Sequence, residues 1–117
     1  MTFDLEVMLR ASERVFTERI DHDGEPSAWT DADVEAALRK ILRAIDRILN
    51  PHADEEHPIS LKGLSWIVHP YKDGVVLAFE IHSAAAVAGP FAMAEDRLEQ
   101  MVSRVLGGVA PASQVVH

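Results

Sequence analysis

The segment LSWIVHPYKDGVVLAFEIH, residues 64–82, carries two runs of strict alternation. Leu64, Trp66 and Val68 alternate with Ser65, Ile67 and His69. After Tyr71-Lys72-Asp73-Gly74, the residues Val75, Leu77, Phe79 and Ile81 alternate with Val76, Ala78, Glu80 and His82. A period of two sends successive side chains to opposite faces, which is a strand pattern. Asp-Gly between two such runs is a strong hairpin signal.

Parity narrows the pairing. A two-residue Asp73-Gly74 turn sets Val68 against Phe79 and Trp66 against Ile81, so the large apolar side chains share one face. The other face then pairs Ser65 with His82 and Ile67 with Glu80. A four-residue Tyr71–Gly74 loop keeps the same parity, whereas a three-residue loop sets Val68 against Ala78 and mixes the faces. Ile59–Leu61 or Ala84–Val87 is expected to add strand length, because a lone two-stranded ribbon is marginal. Otherwise an edge pairs with another chain.

Upstream of the hairpin, residues 31–49 read as a helix. Thr30 is a natural cap, and Asp31, Asp33 and Glu35 place negative charge where the helix dipole favours it. Val34, Ala37, Leu38, Ile41, Leu42, Ile45, Ile48 and Leu49 form one apolar arc. Asn50-Pro51 stops the helix, since the residue before proline is pushed out of the α conformation. The loop Asp21-His22-Asp23-Gly24 resembles the centre of a calcium loop. Aligning Gly24 with that loop's glycine puts Arg19 at the first ligand position and Thr30 at the last, so both ends fail.

Residues 4–20 are expected to form a further helix. Leu5, Leu9, Phe16 and Ile20 fall on one face at a period of 3.6, with Met8, Ser12 and Val15 beside them and Val7 and Ala11 widening the arc. A helix apolar over that much of its girth meets two neighbours, which leaves a place for a second subunit. Gly89-Pro90 is expected to open the last helix, lined by Phe91, Ala94, Leu98, Met101, Val102 and Val105 and ended by Gly107-Gly108. The predicted order is therefore α-α-β-β-α: an α+β fold with three helices packed on a small antiparallel sheet built around one β-hairpin. It is read as one domain over residues 1–108 with a C-terminal tail over 109–117.

The chain has 117 residues and a formal net charge of −8, which argues against binding nucleic acid through released counterions. It holds no cysteine, which removes disulfide scaffolds, iron–sulfur clusters and thiol nucleophiles together. The opening residues place an acid where a signal peptide carries Lys or Arg, and the longest small-apolar stretch is too short to cross a bilayer, so a cytoplasmic setting without membrane contact is expected. No nucleotide-binding or nucleophile-elbow motif occurs, and no cofactor is expected.

Three constellations invite a functional reading. His69, Glu80 and His82 project from the outer face of the hairpin, with Ser65, and offer ligand types for a transition metal or groups for acid–base work. Ile67, Val76 and Ala78 share that face, so part of it should be covered by a partner. The run His52-Ala53-Asp54-Glu55-Glu56-His57 has no metal-ligand spacing and reads as a solvated acidic loop. Arg39, Arg43 and Arg47 recur every four residues along the second predicted helix. They suit an acidic protein partner, Asp54-Glu55-Glu56 of a second copy being one candidate, or a solvated face supported by Glu35–Arg39 pairing.

The leading expectation is a binding or regulatory module that acts through protein–protein contact as a homodimer, with Arg39, Arg43, Arg47, Ile67 and Val76 at the contact. The alternative is a small metal-dependent or acid–base enzyme using His69, Glu80 and His82.

Overall fold

The computed structural model describes residues 1–10, 12–50, 65–81 and 84–106. Their elements run β1 (Thr2–Leu9), β2 (Val15–Asp21), α1 (Asp31–Leu49), β3 (Ser65–Tyr71), β4 (Gly74–Ile81), β5 (Ala84–Phe91) and α2 (Glu95–Val105). The five strands form a single antiparallel sheet in the order β2-β1-β5-β4-β3. The α+β mixture agrees with the sequence reading. The three-helix, one-hairpin arrangement does not: the described residues hold two helices and five strands.

The first predicted helix is instead a second hairpin. Thr2-Phe3-Asp4-Leu5-Glu6-Val7 alternates polar and apolar residues without a break, so pleating buries Phe3, Leu5 and Val7 on one side and exposes Asp4 and Glu6 on the other. A helix would have scattered the same residues around its axis. The connection to β2 closes with the Leu9 N–H donating to the Arg14 carbonyl at 2.9 Å and the Glu13 N–H to that of Leu9 at 3.0 Å. Glu13 takes the left-handed conformation (φ 57°) that such a turn needs, with neither Gly nor Pro to announce it.

Gly89-Pro90 also departs from expectation, lying inside β5 rather than opening a helix. Leu77 pairs with Ala88 but Val75 with Phe91, so β5 carries one extra residue at Gly89-Pro90. This bulge lets Ala84, Ala86 and Ala88 face the core and still returns Phe91 to it. Gly89 has φ 132°, which suits glycine, and Pro90 lacks an N–H where the ladder is already interrupted. The last helix begins only at Glu95 and buries Leu98, Met101 and Val102.

Helix α1 has the predicted bounds. The Asp33 N–H donates to the Thr30 hydroxyl and Asp33 Oδ2 accepts from the Thr30 N–H at 2.9 Å, a reciprocal capping box. The β3–β4 hairpin has the predicted parity and the register of the four-residue loop: Pro70 faces Val75, Val68 faces Leu77 and Trp66 faces Phe79. β5, over Ala84–Phe91, adds the anticipated strand length. The Asp54–Glu56 run and the predicted tail over 109–117 lie outside the described residues.

Both helices lie against one face of the sheet, α1 beside β2 and α2 beside β3, and they pack on each other. The buried core joins Leu5 and Val7 of β1, Leu38, Ile41 and Ile45 of α1, Trp66 of β3, Phe79 of β4, and Leu98 and Val102 of α2. At one end Phe3, Trp29 and Phe91 form an aromatic cluster, with ring centroids 4.8 Å apart for Phe3–Phe91 and 5.5 Å for Trp29–Phe91.

Candidate functional site

Because every strand alternates, one half of the sheet's side chains points away from the helices. Two ladders run across this open face. One reads Ser65, Glu80, Ala85, Met8, Val15; the next reads Ile67, Ala78, Val87, Glu6, Thr17. No described residue covers them. Met8 is 53% exposed, Val15 55% and Val87 40%, with Ile67, Val76, Ala78 and Ala85 half-buried among them. A largely aliphatic surface of this extent, with Glu6 within it and further charges at its rim, is the character of an interaction face.

The face has relief. Small side chains at Ala78 and Ala85, set between Ile67 and Val87, leave a depression of about 300 Å³ bounded by Ser65 and Glu80. A second, of about 290 Å³, lies where the β5 bulge opens the surface, with Asp4, Glu6, Tyr71, Lys72, Val76 and Pro90 around it. Arg10 pairs with Glu80 at 3.1 Å and Arg19 with Asp4 at 3.3 Å. Glu6 and Lys72 have no ion pair among the described residues.

The register decides the proposed imidazole cluster. His69 stands opposite Val76, and Glu80 opposite Ser65, four residues further along β4. That is about 13 Å at 3.3 Å per residue, so His69 and Glu80 do not meet. Glu80 is instead turned to Arg10. His82 lies outside the described residues, and among the described residues no three His, Cys, Asp or Glu side chains are placed to share a metal ion. Ile67 and Val76 do share the open face, as expected from parity.

The arginine stripe occupies α1 as predicted, but its members are engaged within the chain. Arg39 pairs with Glu35 one turn back at 3.7 Å, and Arg47 reaches Glu18 of β2 at 3.2 Å. Arg43 is half-buried and likewise has a partner.

A polar cluster that the sequence reading passed over joins the β2–α1 loop to both helices. His22 is nearly buried, with Nε2 donating to Asp33 Oδ1 at 3.2 Å and Nδ1 facing the Lys40 ammonium at 3.2 Å. Lys40 also donates to the Asp21 carbonyl at 2.8 Å. The Trp29 indole N–H donates to the Asp23 carbonyl, and Arg97 of α2 donates to the carbonyls of Pro26 and Trp29. The Thr30 N–H, and after it His22, hold the Asp33 carboxyl below its usual range. The Arg104 guanidinium does the same for Asp31 from 2.7 Å. These bonds staple the loop to the helix start, a structural role.

The open face does not follow from a 3.6-residue period over residues 4–20, because the chain there pleats at a period of two. The Asp4/Glu6 alternation against Phe3, Leu5 and Val7 is the signal that would have exposed it. No helix among the described residues is long and apolar enough to cross a membrane. Comparison of the chain with protein-family models, curated proteins and solved structures gives no match. The class is thus set by the fold of the described residues alone: an α+β domain with a five-stranded antiparallel sheet that they cover with helices on one side and leave open and partly apolar on the other.

Proposed function

We propose that this domain is a protein-binding module, set in the cytoplasm, that works as a homodimer through the open face of its sheet. The supporting observation is the aliphatic surface that runs from Ile67 and Val76 through Val87 and Ala85 to Met8 and Val15, with Glu6 set within it. Water gains by the covering of such a surface, and a two-fold axis lets one patch cover its own copy. The five strands span about 24 Å across and about 24 Å along, roughly 600 Å² per copy, so a dimer would bury about 1,200 Å², the low end of specific interfaces. A reversible dimer with micromolar affinity fits that size.

The contact residues in this reading are Ile67, Val76, Val87 and Met8. The arginine stripe is left out of it, because Arg39 and Arg47 are already paired with acids of their own chain.

Val87→Glu tests the reading. It sets a charge at the centre of the face, where Val87 is already 40% exposed, so folding is expected to survive. Sedimentation equilibrium should show wild-type dimer and a variant whose association is at least about tenfold weaker. A wild-type chain that stays monomeric at high micromolar concentration contradicts the proposal.

A further inference from the structure

Covering the open face has an electrostatic consequence. Glu6 sits in the ladder between Val87 and Thr17, near the centre of the surface that a second copy would shield. A carboxylate taken out of water without a cation is strongly unfavourable. Asp4 and Glu80 already have Arg19 and Arg10. Glu6 has no cation among the described residues, so whatever covers the face must bring one.

The chain carries a matching cation on the same face. Lys72, at the tip of the β3–β4 hairpin, has no carboxylate partner among the described residues, and its ammonium rests 5.3 Å from the centroid of the Tyr71 ring. Lys72 and Glu6 line the same 290 Å³ depression, with Val76, Gly89 and Pro90 between them. Within one copy they do not pair. A two-fold axis lying in the interface and passing between them would exchange their positions, placing Lys72 of each copy over Glu6 of the other.

We infer that the homodimer is keyed by two symmetric Lys72–Glu6 ion pairs across the open sheet face, each closing over the depression beside Gly89-Pro90. This rests on the sheet-face dimer proposed above and sets its axis toward the β3–β4 hairpin tip, so that Ile67, Val76 and Val87 stay within the contact while Met8 and Val15 lie at its margin. Glu6 lies on β1 and Lys72 beyond the far side of β5, so the line joining them crosses the strands obliquely. The axis must run at right angles to that line, and the two sheets cross steeply, as in the orthogonal class of sheet packing. Each copy carries a net charge of −8, which opposes approach, and the exchanged pairs supply local attraction at fixed positions. Tyr71, half exposed beside Lys72, would be shielded in the same contact.

Charge reversal and charge exchange test this by sedimentation equilibrium, with melting temperature as the check on folding. Lys72→Glu and Glu6→Lys should each weaken association by about tenfold or more, since each disrupts two pairs per dimer. The double variant, carrying both, should return to within about threefold of wild type. If both reversals leave association unchanged while Val87→Glu abolishes it, the ion-pair register is overturned and the sheet-face dimer stands. Reversals that weaken association without recovery in the double variant also overturn it, because the two residues then do not meet. A monomeric wild type removes both.

Discussion

Gly74 shows how much one missing methyl group decides. It closes the β3–β4 hairpin opposite Tyr71, and a Cβ at this position would run into the Phe91 carbonyl oxygen. That oxygen belongs to backbone, so it cannot swing away. Gly74→Ala should therefore cost about 1–3 kcal/mol in chemical denaturation, the usual range for overpacking. A loss within about 0.5 kcal/mol would mean that β5 can retreat there.

The capping carboxylates give a second prediction at this scale. The native fold holds Asp31 and Asp33 below their ordinary value, so their contribution is present above the unfolded value of 3.8. It is lost as pH falls through the lower native values. The midpoint of thermal unfolding should drop on acidification below about pH 4, and the Asp31→Asn, Asp33→Asn double variant should flatten that acid limb. An equally steep limb in the variant would place the acid sensitivity elsewhere. Asp33 as part of the cap was legible from Thr30-x-x-Asp33. The Asp31–Arg104 pair was not, because it joins residues 73 apart in sequence.

Among the elements, β5 is the test of which way the sheet faces. Ala84, Ala86 and Ala88 are fully buried against the helices, while Ala85 and Val87 look outward. Small residues on the middle strand let α1 and α2 come close. Ala86→Leu should then destabilise by about 1–3 kcal/mol, and Ala85→Leu, one residue away, by no more than about 0.5 kcal/mol. Equal costs at the two positions would contradict the assigned faces.

The same element explains what could be read beforehand. Residues 65–81 alternate and carry an Asp-Gly signal, and residues 31–49 repeat at 3.6 with a cap at one end and Asn-Pro at the other, so both elements emerge from local pattern. Residues 2–21 satisfy two periods at once, because Leu5, Leu9, Phe16 and Ile20 fall a helical face apart while Phe3, Leu5 and Val7 alternate. Tertiary pairing with β5 settles that contest, and no local rule contains it. Gly89-Pro90 misled for a similar reason, since its dihedral needs suit a bulge as well as a helix start.

At the scale of the molecule, the described residues dress the sheet on one side only. The edges offer little to another strand: β3 carries Pro70, and β2 carries Glu18, Arg19 and Asp21. The broad face is therefore the surface with most to gain from contact. Half of this site was foreseeable, because Ile67, Val76 and Ala78 follow from hairpin parity. Glu6, Met8, Val15 and Val87 enter only once β1, β2 and β5 are known to lie beside it.

Sedimentation equilibrium of the wild-type chain and Val87→Glu across the micromolar range addresses that face most directly. The account predicts a concentration-dependent monomer–dimer equilibrium for the wild type, displaced to monomer in a variant that still folds cooperatively. A wild type that remains monomeric throughout, or a dimer indifferent to a glutamate at position 87, would contradict it.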